Sequence, residues 1–295
     1  MKKLLAAALA GLACLTATAG QAFGLVIFLA PTPIPQRVAQ SDAVVVGKVT
    51  GFGDKLISAA NPNGGEAKVD YQIAIVQVGD ALQGAKDAKE VKVGFIPPSA
   101  PAPGTVIRPI RRPQFSLTLD QEGCLFLVKH PTEDFYIVSN ANDFISKKDN
   151  ADYDKSLDEV KHSVQLLADA TASLKGKNND DRFLTAAMLV ARYRFSRFGQ
   201  TKTELIDAEE SKQILLALAD ADWTVKPAPP GPAGLRGMQT MNPQNIFYRL
   251  GLTPQDGWTQ PTDAKDVPGA AKQWLQDNAA KYRIQRFVAD KKDDK

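Results

Sequence analysis

Cys124, His130, Glu133 and Asp134 fall within the run GCLFLVKHPTEDFYIV at residues 123–138. A thiol beside an imidazole and two carboxylates is the raw material of a cysteine nucleophile with its base. The spacing argues against it. On one extended strand the two side chains share a face, six residues apart at ~3.3 Å per residue, so they lie roughly 20 Å from each other. A working dyad needs hydrogen-bond reach, ~3 Å. Folding the chain back at Pro131-Thr132-Glu133-Asp134 does not help. It sets His130 opposite Phe135 and Cys124 opposite Ala141. Apolar residues occupy both faces of the first strand, with Phe126 and Val128 on one and Leu125 and Leu127 on the other. That pattern predicts a strand covered on both sides, with Cys124 as a small buried thiol. His130, set before a proline, is expected at an exposed strand end.

Other chemistries find fewer groups still. His162 is the second of only two histidines and lies near the edge of an apolar stripe, as a half-exposed helix residue would. Two histidines and one cysteine do not make up a typical zinc set. Asp149, Asp152, Asp154, Asp158 and Glu159 cluster before a helix. They lack the central glycine and the twelfth-position glutamate of an EF-hand, and carboxylates at a helix start suit its dipole. The sequence has no G-x-S-x-G, S-x-x-K, H-E-x-x-H, Walker or G-x-G-x-x-G motif. Gly47-Lys48 lacks the flanking residues of a phosphate loop. Paired acids leave no local motif, so a carboxylate hydrolase, or one with an atypical Cys124 site, stays open. Glu209-Glu210 and Asp220/Asp222 read more simply as caps and exposed faces. No cofactor is expected.

The elements that must position these groups begin with a leader. MKKLLAAALAGLACLTATAGQAFG has a basic start, an apolar run and a small-residue exit, the form of a Sec-type signal over residues 1–22 cut after Ala19 or Ala22. Two alternatives compete with it: a lipoprotein box at Gly11-Leu12-Ala13-Cys14, and an uncleaved anchor over residues 4–30. After cleavage, LVIFLAPTPIP is expected as a strand ended by prolines, with no membrane span remaining. The location implied is periplasmic or extracellular. Taking Lys2 and Lys3 from the 36 Lys and Arg leaves 34 against 33 Asp and Glu, a net charge of +1. No field of the kind that draws nucleic acid results. With Cys14 gone, Cys124 has no disulfide partner and stability must come from the core.

Residues 23–149 read as β-structure. Ala43–Val49 is a β-branched run. Val69, Tyr71, Ile73 and Ile75 alternate with less apolar neighbours, and the alternation slips at Val76 and Val78, which predicts a bulge. Val91-Val93-Phe95 and Phe115-Leu117-Leu119 read as further strands. Within this part, residues 97–113 (PPSAPAPGTVIRPIRRP) form a proline-rich excursion that cannot be an interior strand. Arg108, Arg111 and Arg112 are its candidate binding residues, for a partner with acidic groups; the alternative is a stiff solvated loop.

Residues 150–290 read as helices, followed by a charged tail at 291–295. Leu157, Val160, Val164, Leu167, Thr171 and Leu174 form one stripe. Asp180-Asp181 are expected to cap a second helix carrying Phe183, Ala187, Ala191, Phe195 and Phe198. Asp207-x-x-Glu210 opens a third, and Asn242-Pro243 starts a short one that stops near Gly251. The last runs from Pro268 to Phe287. Trp274 fits the core. Trp258, after a turn, is the candidate aromatic for a binding groove.

Five segments together carry a resemblance: SDAVVVGKVT, VDYQIAIVQVGDALQGAK, VKVGF, EGCLFLVKH and DFYIVSN. They are similar to the exported OB-type barrels of the netrin/metalloprotease-inhibitor-like sort, over about 100 of the 295 residues. The resemblance implies a five-stranded Greek-key barrel. It does not imply inhibition, because those inhibitors use an N-terminal cysteine, and none stands before Ser41 in the expected mature chain. The whole layout also resembles uncharacterised exported bacterial proteins, which implies no activity. The expected fold is α+β, an N-terminal small antiparallel OB-like barrel followed by a C-terminal α-helical domain. The expected role is a non-catalytic exported module that binds an unknown protein or envelope ligand. The alternatives are a hydrolase or a structural part of an envelope assembly.

Overall fold

The computed structural model describes residues 32–62, 64–98, 115–138, 141–224 and 241–289. Among these residues the chain is mixed α+β, with a seven-stranded sheet and seven α-helices. The expected leader, the Arg108, Arg111 and Arg112 segment and the charged tail lie outside the described residues.

The strands are β1 (Ala43–Phe52), β2 (Ile57–Ala60), β3 (Lys68–Gln83), β4 (Glu90–Phe95), β5 (Glu122–Lys129), β6 (Tyr136–Ile137) and β7 (Phe144–Ser146). β1 pairs antiparallel with β3 on one edge and with β5 on the other. β3 continues to β4, β4 pairs parallel with β6, and β6 returns antiparallel to β5. The pairings therefore close a circuit, β1-β3-β4-β6-β5 and back to β1. β2 adds to β3, and β7 adds to β5.

The long β3 bends through the slip that its alternation forecasts. Val46 faces Asp80 while Gly47 faces Val78, so Gly79 is the extra residue. Ahead of the bulge, the two faces of β3 serve two cores, as the alternation of a pleated strand allows. Ala74 and Val76 pack with Val45, Val93, Leu125 and Leu127. Tyr71 and Ile73 pack with Ala59, Phe135 and Ile137.

Both faces of β5 are covered, as its apolar sequence requires. Leu125 and Leu127 enter the core they share with β1, β3 and β4. Cys124 and Phe126 meet α1 (Ile34–Gln40) and α2 (Tyr153–Ala168) through Ile34, Val38, Tyr153 and Val160. Helix α1 corrects the expected proline-ended strand at its described end. Pro33 and Pro35 open a helix there, the first-turn position where a missing N–H costs nothing. Although α1 precedes the sheet in the chain, it packs against α2 and against α4 (Asn179–Tyr193).

Five further expectations are corrected. The stripe from Leu157 to Leu174 is broken at Asp169, whose carboxylate accepts from Ala172 N at 2.9 Å and starts the short α3 (Ala170–Leu174). Asn178, and not Asp180-Asp181, caps α4, accepting from Asp180 N at 2.9 Å. That helix ends at Tyr193, so Phe195 and Phe198 lie beyond it. Phe115-Leu117-Leu119 forms no strand; Leu117 is buried but Leu119 is 58% exposed. The last helix, α7 (Val267–Asn278), stops early, and Gln285–Phe287 is strand β9, paired with β8 (Thr203–Leu205).

Two helix starts are as read. Asp207 accepts from Glu210 N at 3.0 Å to open α5 (Ala208–Ala219), and these hydrogen bonds lower its carboxyl pKa. Asn242 accepts from Asn245 N at 2.8 Å to open α6 (Pro243–Arg249), which ends before Gly251 at φ +71°. Phe247, Leu215, Leu218 and Trp274 centre the core between α4, α5, α6 and α7.

Candidate functional site

The Cys124–His130 stretch holds no dyad. Cys124 is fully buried, facing Val46 on one side and Ile145 on the other. The expected partner Ala141 is displaced because a short helical turn at Ala141–Asp143 precedes β7 and shifts the register. Burial pushes the Cys124 thiol up to about 12, against the pull of the nearby Arg37 charge. A thiol so placed does not form the reactive thiolate at neutral pH.

His130 is the main correction to the sequence reading: it is 2% exposed. Its Nδ1 accepts from the backbone N–H groups of Thr132 at 3.2 Å and Glu133 at 3.1 Å. Both are donors, so Nδ1 is bare and the proton sits on Nε2, which faces Ala60 O at 3.3 Å. The ring lies among Phe135, Tyr71 and Phe198, at centroid distances of 4.9, 5.8 and 5.9 Å. The imidazole caps its own turn and ties it to the end of β2. Its backbone N–H donates to Phe135 O at 3.0 Å, the pairing the turn was expected to make.

The remaining candidates are dispersed. Trp258 is 8% exposed and meets the Phe247 ring edge-on at 4.7 Å within the helical core. His162 is exposed and contacts Asp181 at 2.9 Å. Glu210 accepts from Tyr193 Oη at 2.5 Å, and Asp220 pairs with Arg182 at 2.9 Å. No group of three or more metal-ligating side chains assembles among the described residues.

What sequence reasoning missed is a cleft of about 620 Å³ where the sheet meets the helices. One wall is Ser41, Asp42 and the end of β3 with Lys86. The other is the end of α2, at Val164, Leu167 and Ala168. Arg192, Tyr193, Phe195 and Arg197 line it from α4 and its exit, and Arg286 and Phe287 from β9.

The arginines are brought there by the end of α1. The last carbonyls of a helix have no partner within it. Here side chains supply the donors. Gln83 Nε2 donates to Val38 O at 3.4 Å and to Ser41 O at 2.9 Å. Arg192 Nε donates to Ala39 O at 2.9 Å, and Arg197 donates to Gln40 O. Arg197 also pairs with Asp42 at 2.6 Å, while the other carboxylate oxygen of Asp42 accepts from Lys129 N at 2.9 Å. Gly84 is required beside them. It holds φ +57°, and an added Cβ would collide with Asp42 O.

Burial lowers the Arg192 pKa, and Asp42 and Glu210 act in the other direction from a distance. Burial and the Glu210 hydrogen bond both raise the Tyr193 pKa. The cleft thus presents fixed positive charge beside apolar walls, the combination that orients a ligand rather than one that activates a nucleophile. No sequence motif marks it, because its residues come from five separate segments.

No known family model and no curated protein matches this chain.

Proposed function

We propose that this chain is an exported, non-catalytic binding protein whose ligand seat is the cleft between sheet and helices. The observation that carries the reading is Arg192. Its guanidinium is half-buried and spends Nε on Ala39 O, and it makes no ion pair among the described residues. Asp42 and Glu210 act on it only from a distance, so its terminal nitrogens face the cleft with no bonded carboxylate, and an anionic ligand would complete them.

The closed circuit of pairings, with its single parallel contact between β4 and β6, supports reading the five strands β1, β3, β4, β5 and β6 as a small OB-type barrel. On that reading the barrel and the helices are two domains, and the ligand sits at their junction, where binding sites concentrate. Export rests on the leader-like first 22 residues. No helix among the described residues is long and apolar enough to cross a membrane.

The test is to fill the cleft. Ala168 is exposed on its wall, so Ala168→Trp should leave folding intact and abolish saturable binding of small amphiphiles detected by thermal shift. Binding unaffected by the added indole would sink the cleft as the seat. N-terminal sequencing of the secreted protein tests export, with Gly20 or Phe23 expected first.

A further inference from the structure

We infer that the cleft takes a small amphipathic monoanion, a carboxylate or sulfonate head on a short apolar body. The inference rests on the cleft being the ligand seat and adds the class of ligand.

The lining holds Lys86, Arg192, Arg197 and Arg286 against a single acid, Asp42. Two of the four cations are already answered. Arg197 is held by Asp42, and Arg286 lies 3.6 Å from Glu204. Arg192 and Lys86 make no ion pair among the described residues, and Arg192 keeps both terminal nitrogens for use. The negative end of α1, which would repel an anion, is consumed by the Gln83, Arg192 and Arg197 donors. Two parallel N–H groups of a guanidinium match the two oxygens of a carboxylate or sulfonate.

The body of the ligand follows from the walls. Leu82, Val164, Leu167, Phe195 and Phe287 flank the arginine. An inorganic anion would leave those surfaces wet, and a cation would meet Arg192 head-on. The volume, about 620 Å³, falls in the range of small-molecule sites.

The experiment is isothermal titration of the leader-free protein with octanoate, octyltrimethylammonium and inorganic phosphate. Octanoate alone should saturate, at one per chain. Lys86→Glu, an exposed change, should weaken it about tenfold. Arg192→Lys keeps the charge and loses the fork, so it should weaken binding by less than Lys86→Glu. Octyltrimethylammonium binding that Ala168→Trp abolishes would overturn the anion and leave the cleft as the seat. Phosphate binding as tight as octanoate would overturn the apolar body. Octanoate binding that survives both Lys86→Glu and Ala168→Trp would overturn the seat itself.

Discussion

The β5 turn and the junction cleft make opposite use of polar side chains. Around β5 the chemically suggestive residues are sealed: the Cys124 thiol is buried, and both ring nitrogens of His130 are engaged. At the cleft, ordinary arginines do two jobs. They close the end of α1 and still face an opening with donors to spare. On the proposed reading, reactivity in isolation is a poor guide to where this protein meets a ligand. What matters is which polar atoms the fold leaves unspent.

The contrast can be broken most forcefully from the sealed side. Phe126→Ala empties a site packed by α1 and α2 and under the Arg37 guanidinium, which lies 4.6 Å over the ring. It should cost ~3–5 kcal/mol in denaturant unfolding. His130→Ala strips two backbone donors of their acceptor and should cost ~1–3 kcal/mol, without altering ligand binding at the cleft. Arg192→Met should cost ~1–2 kcal/mol through the lost Ala39 bond and remove ligand binding as well. An Arg192→Met protein that lost stability but kept its ligand would erase the distinction between the regions.

The Cys124 thiol sharpens it further. Folded protein should not react with a thiol reagent at neutral pH, and unfolded protein prepared without residues 1–22 should expose one reactive thiol. The folded thiol holds its proton more tightly than the unfolded one, about 12 against an ordinary 9.0. The stability tied to it is therefore intact below about pH 9 and falls as the pH climbs toward 12. Burial likewise raises the Tyr71 and Tyr153 pKa values to about 12, which places their loss in the same alkaline window. The stability difference between the parent and Cys124→Ala should be constant below about pH 9 and change as the pH climbs toward 12. The smallest effect belongs to the cleft: Lys86→Gln should change stability by less than ~0.5 kcal/mol.

Much of the framework was legible from the chain. The period-2 runs at Ala43–Val49, Val69–Ile75 and Val91–Phe95, and the doubly apolar β5, carry their own burial pattern. Asp207 and Asn242-Pro243 announce their helices because capping is local chemistry. What escaped was set by distant partners. His130 looked exposed because nothing nearby shows that Tyr71 and Phe198 will close over it. Trp258 looked available because its burial depends on Phe247. Gln285–Phe287 looked helical until β8, some eighty residues earlier, gave it a strand to pair with. The cleft escaped entirely, since Asp42, Lys86, Arg192 and Arg286 become neighbours only through tertiary structure.

The capture of the α1 carbonyls has a consequence in time. The partners of Ala39 and Gln40 lie 153 and 157 residues further along the chain. As the polypeptide emerges from its N-terminus, α1 exists long before the residues that secure it, and it cannot settle until α4 has arrived. A short helix of seven residues is not stable alone. The first described element of this protein therefore locks only after α4, and the cleft is completed later still, when β9 adds Arg286 and Phe287.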